Sequence, residues 1–273
     1  MASKVTDTRF TQRTFFSDHD FYGLPDEILP WFYTQIKECM AVRIGNQFIL
    51  GLGNPPDLAQ PLLDFGCGNG WATFFVLQRA SVGAVGIDFS ARHIRMADER
   101  AKIGGFHEST DFVVGDLTKL PFRDSCFDSL ICVNVLHHLP QLSSGVRAVR
   151  NLLREGGQCW VMEQVANNPL LTLGRSVSKR LRINVASGEE LSFTDRDVQN
   201  AFLSQGFRIT CKGRDGFFLW LIFVITARAK AVVMKVPRSL LGSLIKVELA
   251  LEKIPIINSF AGRTLLICRK VGS

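Results

Sequence analysis

Three glycines stand at alternating positions directly after a short apolar run that ends in an acid, in the stretch LDFGCGNGW from Leu63 to Trp71. Because they lack side chains, Gly66, Gly68 and Gly70 allow the backbone to turn tightly and to approach a ligand closely. Turns of this kind hold phosphates or cofactors in several folds. The residues around the glycines must therefore indicate which ligand fits.

Two common nucleotide-binding patterns do not match this turn. A dinucleotide-binding turn has its third glycine or an alanine at the position of Trp71, where a large ring blocks close packing. A phosphate-binding loop ends in Gly-Lys-Ser or Gly-Lys-Thr, which is missing here. The carboxylate of Asp64 would repel a pyrophosphate, whereas it suits a ligand whose end carries an ammonium group.

Other polar residues follow later apolar runs in the same manner. Asp88 ends VGID, Asp116 follows FVVG, and Asn134, His137 and His138 follow SLICV. If these runs are parallel strands, their carboxyl ends meet at one edge of a sheet, which is where α/β proteins bind ligands. The elements that position these side chains must therefore be strands that alternate with helices.

The hydrophobic pattern predicts such an alternation. Strands are expected at 61–65, 82–88, 111–116, 127–134 and 157–163, with helices at 71–79, 91–102 and 142–153. Thr194 and Asp197 have the spacing of a capping box, which predicts the start of a helix that closes at Gly206. Two further strands are expected at 207–213 and 263–271. The pattern predicts an α/β fold.

With its motifs in this order, the sequence resembles the class I S-adenosylmethionine-dependent methyltransferases, in particular their small-molecule, type 11-like branch. The match to their first motif is DFGCGNG, and FDSLICVNVLHHLP and LLREGGQCWVMEQ resemble the segments around their fourth and fifth strands. The resemblance covers about 61 to 164, with an echo to 215 and again at 263–271. It implies a Rossmann-like seven-stranded methyltransferase sheet flanked by helices, and S-adenosylmethionine as the cofactor.

The resemblance also implies roles for the residues at the strand ends. The glycine turn and Asp64 would hold the methionine end of the cofactor, Asp88 its ribose and Asp116 its adenine. No metal site is expected, because the acids are assigned to the cofactor and the histidines lack ligand spacing. The cofactor-binding set is Asp64, Gly66, Cys67, Gly68, Gly70, Asp88, Phe89, Asp116, Leu117 and Asn134.

Three histidines are candidates for a catalytic base. His137 and His138 follow the fourth strand, next to the transferring methyl group in this fold, and histidine titrates near neutral pH. The alternative is that these two shape the pocket or cap the next helix. His19 is the third candidate, because the aromatic N-terminal segment is expected to fold over the site. Its alternative is an ordinary loop histidine.

Two regions lie outside the strand and helix rhythm. Residues 1–55 are aromatic and are expected to form a helical lid, or alternatively to pack on the sheet, while 56–273 form the methyltransferase domain. An apolar and basic helical insert at about 217–257 precedes the last strand. Basic residues among long apolar stretches fit an element that lies on an anionic membrane surface. The alternative is an extra helical layer or a homodimer interface.

The composition limits the function without deciding it. Seven cysteines without metal-ligand spacing, and an N-terminal sequence without the apolar core of a signal peptide, predict a reducing, cytoplasmic location, with peripheral membrane association left open. The net charge of +7 is compatible with a nucleic-acid substrate, but the motif after the fourth strand is not the type used on flipped bases. A small, apolar substrate is favoured. Nucleic-acid or protein methylation, and cofactor binding without catalysis, remain the alternatives.

Overall fold

The computed structural model describes residues 35, 39–52, 61–168, 193–216 and 235–272. His19, most of the predicted N-terminal lid and residues 217–234 of the predicted insert lie outside these ranges. The boundary predicted between residues 55 and 56 lies outside them as well.

The described residues form one mixed sheet of seven strands in the order β3-β2-β1-β4-β5-β7-β6. All seven predicted strands are confirmed, and β7 runs antiparallel to both of its neighbours. The carboxyl ends of the other strands therefore lie along one edge of the sheet. The strands are β1 (Leu62–Phe65), β2 (Ala84–Asp88), β3 (Thr110–Val114), β4 (Phe127–Val133), β5 (Leu153–Gln164), β6 (Phe207–Asp215) and β7 (Arg263–Lys270).

Seven α-helices lie within the described ranges, and several begin at residues that the sequence marks. The Ser90 side chain accepts a hydrogen bond from the His93 backbone at the start of α3, and Thr194 and Asp197 form the predicted capping box of α5. The helices are α1 (Met40–Gly51), α2 (Trp71–Leu77), α3 (Ala91–Gly104), α4 (Leu142–Leu152), α5 (Asp195–Ser204), α6 (Arg238–Leu251) and α7 (Pro255–Asn258).

Helices cover both faces of the sheet. On one face, Val149 of α4 and Phe202 of α5 pack with strand residues such as Leu130. On the other face, Ile44 and Phe48 of α1 join Val76 of α2, and these side chains pack in a cluster that contains Trp160 and Ile267 of the sheet. The helix α1 belongs to the segment predicted to be a lid, and it packs on the sheet.

The largest difference from the predicted elements concerns β5. The sequence predicts a helix to residue 153 and a strand from 157, whereas α4 ends at Leu152 and β5 begins at Leu153. Leu153 is fully buried and pairs with Phe127 of β4. Pairing with a neighbouring strand, which a single segment does not reveal, therefore decides the boundary.

The insert before the last strand contains two helices within its described part. Pro237 precedes α6 and Pro255 is the first residue of α7, so both prolines act at helix starts, where a missing backbone N–H costs nothing. None of the described helices combines the length and the apolar character needed to cross a membrane.

Candidate functional site

The glycine turn connects β1 to α2 and has the geometry of a ligand cradle. Gly66, Gly68 and Gly70 all have positive φ angles, of 78°, 52° and 82°. A Cβ on Gly66 would lie 2.3 Å from Val135, so this glycine permits close packing between the turn and the end of β4. Among the described residues, no atom lies within 4 Å of the position that a Cβ on Gly68 would take. The backbone at Gly68 therefore borders open space that a ligand can approach.

Asp64 lies beneath this turn and is almost fully buried. Its Oδ2 accepts hydrogen bonds from the backbone N–H of Thr73 at 3.1 Å and from the Thr73 hydroxyl at 2.6 Å. Burial raises the pKa of Asp64 to about 7, against the opposing effect of these hydrogen bonds. The carboxyl group thus braces the first turn of α2, and its charge changes near neutral pH.

Asp88 ends β2 and is connected directly to the glycine turn. Its Oδ2 accepts from the Gly68 backbone N–H at 3.0 Å, and its Oδ1 accepts from the Ser90 backbone N–H at 2.9 Å. His93 Nδ1 lies 3.8 Å from Oδ1, so a protonated His93 would pair with this carboxylate. The fold brings Asp88 and the glycine turn to the same edge of the sheet, as the strand pattern predicts. The sequence did not predict the contact between Asp88 and His93.

The neighbouring predicted cofactor residues differ in exposure. Phe89 is 73% exposed, which leaves its ring accessible beside Asp88. Asp116 is exposed, and hydrogen bonds from the backbone and hydroxyl of Thr118 hold its pKa below the usual range. Leu117 is buried close to Gly66. Cys67 is buried with its Sγ toward Gly86, and its backbone N–H donates to the Ile87 carbonyl.

Asn134 follows β4 and carries an unsatisfied buried atom. It adopts a left-handed backbone conformation with φ 51°, and its backbone N–H donates to the Met162 carbonyl at 2.7 Å. Its Oδ1 is buried and has no hydrogen-bond partner among the residues that the structure describes. Since buried polar atoms are nearly always paired, an orphaned acceptor at this edge fits a ligand that brings a donor. The ammonium and hydroxyl groups of S-adenosylmethionine are donors of that kind.

His137 is paired with an acid that sequence reasoning missed. His137 Nδ1 lies 2.5 Å from Glu163 Oε1, and both side chains are buried. Glu163 also accepts from the backbone N–H groups of Leu136 at 2.8 Å and Gln164 at 2.9 Å, so its two oxygens are well satisfied. A carboxylate at Nδ1 favours the tautomer with its proton on that nitrogen, which makes Nε2 the proton-accepting atom.

The adjacent His138 differs from His137. Its side chain is exposed, and its ring centroid lies 4.0 Å from that of His137. The structure thus distinguishes two histidines that the sequence leaves equivalent. The signal for Glu163 was its place at the carboxyl end of β5, in WVMEQ, where an acid faces the same edge as the other site residues.

The described residues contain no group of three or more His, Cys, Asp or Glu side chains arranged to hold a metal ion. The polar side chains at this edge of the sheet have different partners within the described residues. Asp88 binds the Gly68 backbone, His137 pairs with Glu163, and the Oδ1 of Asn134 has no partner there. These groups follow the ends of β2, β4 and β5 at one edge of the sheet.

The strand order with an antiparallel seventh strand, together with the glycine turn and the acid that ends β2, defines a class I S-adenosylmethionine-dependent methyltransferase fold. Residues 63–161 match the sequence model of the family described as a methyltransferase domain. This segment is a methyltransferase domain of that class. It contains the turn, Asp88, Asp116, Asn134 and His137.

Curated relatives match the same part of the chain. The 27-O-demethylrifamycin SV methyltransferase of Amycolatopsis mediterranei is 32% identical over 97 residues, which are 36% of this chain and 36% of that protein. The sterol 24-C-methyltransferase ERG6B of Gibberella zeae is 25% identical over 135 residues, or 48% of this chain and 34% of that protein. The chain thus spans about a third of the length of these two relatives.

Solved structures share the fold over most of the chain. Geranyl diphosphate C-methyltransferase of Streptomyces coelicolor A3(2) aligns with a TM-score of 0.57 and 14% identity, covering 83% of this chain and 78% of its own. The [4+2]-cyclase SpnF also aligns with a TM-score of 0.57, at 19% identity over 84% of this chain and 81% of its own. At such identities the likeness shows the fold alone, and the reaction must be argued from the site.

Proposed function

We propose that this chain is an S-adenosylmethionine-dependent methyltransferase that acts on a small, apolar molecule. The observation that supports this most directly is the Asp88 carboxylate at the end of β2, joined to the Gly68 N–H of an open glycine turn. A carboxylate in that place accepts hydrogen bonds from vicinal hydroxyls such as those of a ribose. When bound, the cofactor supplies a methyl group on a positively charged sulfur.

The protein residues would hold the cofactor along the carboxyl ends of four strands. Asp88 would bind the ribose hydroxyls, and the exposed ring of Phe89 and the loop at Asp116 and Leu117 would contact the adenine. Asn134 Oδ1 would accept a hydrogen bond from the methionine end at the glycine turn. Each of these contacts uses a group that the fold already positions, so binding requires little reorganisation.

The chemical step is an in-line displacement, in which the acceptor atom bonds to the methyl carbon as the carbon–sulfur bond breaks. Placing the two molecules collinearly supplies much of the rate. If the acceptor arrives protonated, His137 Nε2 takes that proton, and the Glu163 carboxylate stabilises the resulting imidazolium through Nδ1. His137 is then the catalytic residue and Glu163 a positioning residue.

An apolar substrate is supported by the same edge of the sheet. Val135 and Leu136, which follow β4 between Asn134 and His137, are buried in the hydrophobic core and add no polar side chain to this edge. The relatives include proteins named for methylation of a sterol and of a rifamycin precursor, both of which are small molecules. We also propose peripheral association with an anionic membrane, where an apolar substrate would be concentrated. The alternative is that the insert forms a homodimer interface.

Methyl transfer is tested with S-adenosylmethionine labelled in its methyl group, incubated with the protein and a host-cell extract. Label that enters the organic phase, and does so far less with Asp88→Ala, would support the proposal. Label on protein or nucleic acid would replace it with macromolecular methylation. Cofactor binding without any transfer of label would point to a non-catalytic protein.

A further inference from the structure

The segment 235–260, which contains the described part of the insert, distributes its charges in an unusual way. Both of its acids face the protein interior: Glu248 is fully buried and Glu252 is 9% exposed. Its lysines are all exposed, whereas neither acid of the segment lies on the outer surface, so that surface carries positive charge. These lysines are Lys235, Lys246 and Lys253.

The outer surface of the same segment is also apolar. Leu240, Leu244 and Val247 are exposed and follow one another at helical spacing, so they form a stripe along one side of α6. Beyond the helix the exposed apolar side chains continue with Ile256, at 78% exposure, and Phe260. The side of α6 with Leu241 and Ile245 is buried, as in any helix that packs on a domain. Exposed apolar side chains that form a contiguous patch are typical of interaction surfaces, unlike single exposed leucines.

We propose that the outer surface of α6 and α7, defined by the apolar stripe and the three lysines above, binds the surface of an anionic lipid bilayer. Lipid headgroups supply phosphates for the cations, and the acyl boundary accepts the leucine, valine and isoleucine side chains. This binding does not depend on methyl transfer, so it stands or fails separately from the proposed enzymatic activity.

Charge complementarity favours lipid over a second copy of this chain. A twofold interface would place the exposed cations of one copy near those of the other, and the acids of this segment point inward and cannot neutralise them. Nucleic acid fits less well, because an apolar stripe of Leu240, Leu244 and Val247 offers neither phosphate contacts nor rings for stacking.

The test is flotation of the full-length protein with vesicles of phosphatidylcholine alone and of phosphatidylcholine mixed with phosphatidylserine. We expect binding to the anionic vesicles that weakens at high salt, and little binding to the neutral ones. The combined variant Leu240→Ser, Leu244→Ser, Val247→Ser removes the apolar stripe, and Lys246→Glu with Lys253→Glu reverses two charges. Each should reduce binding by about tenfold or more.

Two exposed leucines elsewhere provide matched controls. Leu50→Ser on α1 and Leu203→Ser on α5 remove similar apolar groups far along the chain from the insert, and both should leave vesicle binding unchanged. Binding of S-adenosylhomocysteine by each variant reports an intact fold. The proposal is overturned if wild-type protein does not bind anionic vesicles, or if the stripe and charge variants bind as well as the wild type. Sedimentation that shows a dimer lost in the stripe variant, without vesicle binding, would assign this surface to self-association.

Discussion

We propose that Asp88 combines two roles at a single position. It accepts hydrogen bonds from the Gly68 and Ser90 backbone N–H groups, which fixes the glycine turn and the start of α3, and it would also bind the cofactor ribose. Each oxygen of a carboxylate has two lone pairs, which leaves acceptor capacity after these backbone contacts. The same atoms can therefore shape the site and bind its ligand.

Replacement of Asp88 by alanine should lower the affinity for S-adenosylhomocysteine by about 10- to 100-fold, since hydrogen bonds to a charged group contribute about 1.5–3 kcal/mol. Calorimetric titration measures the loss. Asp98→Ala is the control. Asp98 lies in α3, the helix that follows Asp88, and its carboxylate pairs with the exposed side chain of Lys102. Equal affinities of Asp88→Ala and wild type would rule out this site assignment.

The pairing of His137 with Glu163 predicts that changes to either residue lower kcat but leave cofactor affinity nearly unchanged. Glu163→Gln keeps the shape of the side chain but removes the charge that would stabilise an imidazolium, so kcat should fall by about 100-fold and its pH dependence should change. His137→Gln should lose a similar factor. Cofactor affinity should stay near the wild-type value in both variants, which stopped-flow or calorimetric binding can establish.

An exclusively structural pair would behave differently. Because Glu163 also binds the backbone at Leu136 and Gln164, its loss could loosen the ends of β4 and β5. In that case both variants would lower the melting temperature while the folded fraction kept its rate and its pH profile. His138→Gln provides the neighbouring control, since His138 is exposed and should change the rate little.

At the scale of elements, a substitution in the turn between β1 and α2 should change cofactor affinity more than stability. Gly68 has a φ of 52°, which costs an alanine about 1 kcal/mol, yet within the described part of the chain no atom occupies the space that its Cβ would enter. Gly68→Ala should therefore lower the free energy of unfolding only slightly and reduce cofactor affinity by at least about tenfold. Urea unfolding and ligand titration give the two values. A large stability loss with unchanged affinity would contradict the open cradle.

The start of α1 is held by two acids from distant parts of the chain. The Met40 N–H donates to Glu252, and the Ala41 N–H donates to Asp215, which also pairs with Arg263 at 2.7 Å. Burial, with a contribution from the charge of Asp215, raises the pKa of Glu252 to about 8. The junction of α1 with the end of α6 therefore contains an acid that is protonated at neutral pH.

This junction predicts a pH dependence of stability. The pKa of Glu252 in the folded state exceeds the ordinary value of 4.5 for a glutamate, so its favourable contribution is complete below that value and is lost as the pH rises through about 8. Glu252→Gln lacks this titration. Between about pH 6 and about pH 9, the unfolding free energy of wild type should fall relative to the variant by about 1–3 kcal/mol. Parallel pH profiles in urea unfolding would contradict the assignment.

The sequence predicts well the features that depend on neighbouring residues. The seven strands, the glycine turn and the capping box of Thr194 are local patterns, and the structure confirms them. Thr73, Glu163 and the group around Asp215 were not predicted, because their partners come from other strands and helices. Glu163 meets His137 across 26 positions, and Arg263 meets Asp215 across 48. No spacing within one segment indicates such pairs.

At the scale of the whole molecule, α1 is part of the core and its removal should be costly. Ile44 is almost fully buried and Phe48 completely, and the Phe48 ring lies 5.9 Å from that of Trp160. A chain that begins at residue 56 should be less stable than one that begins at residue 39 by about 3–6 kcal/mol, from the apolar area of two side chains. Thermal and urea unfolding compare the two chains. Equal stability would show that the domain does begin near residue 56.

The place of β7 in the sheet has a consequence for synthesis. This strand is the last of the seven along the chain, yet it lies between β5 and β6 and pairs Gln158 with Arg269. On the ribosome, the edge of β5 that β7 covers stays unpaired until residues 263–270 have emerged, and β6 has no neighbour in the sheet before then. Exposed strand edges recruit other chains. A pause in translation shortly before this strand would prolong the time during which the edge of β5 is exposed and the nascent protein can aggregate.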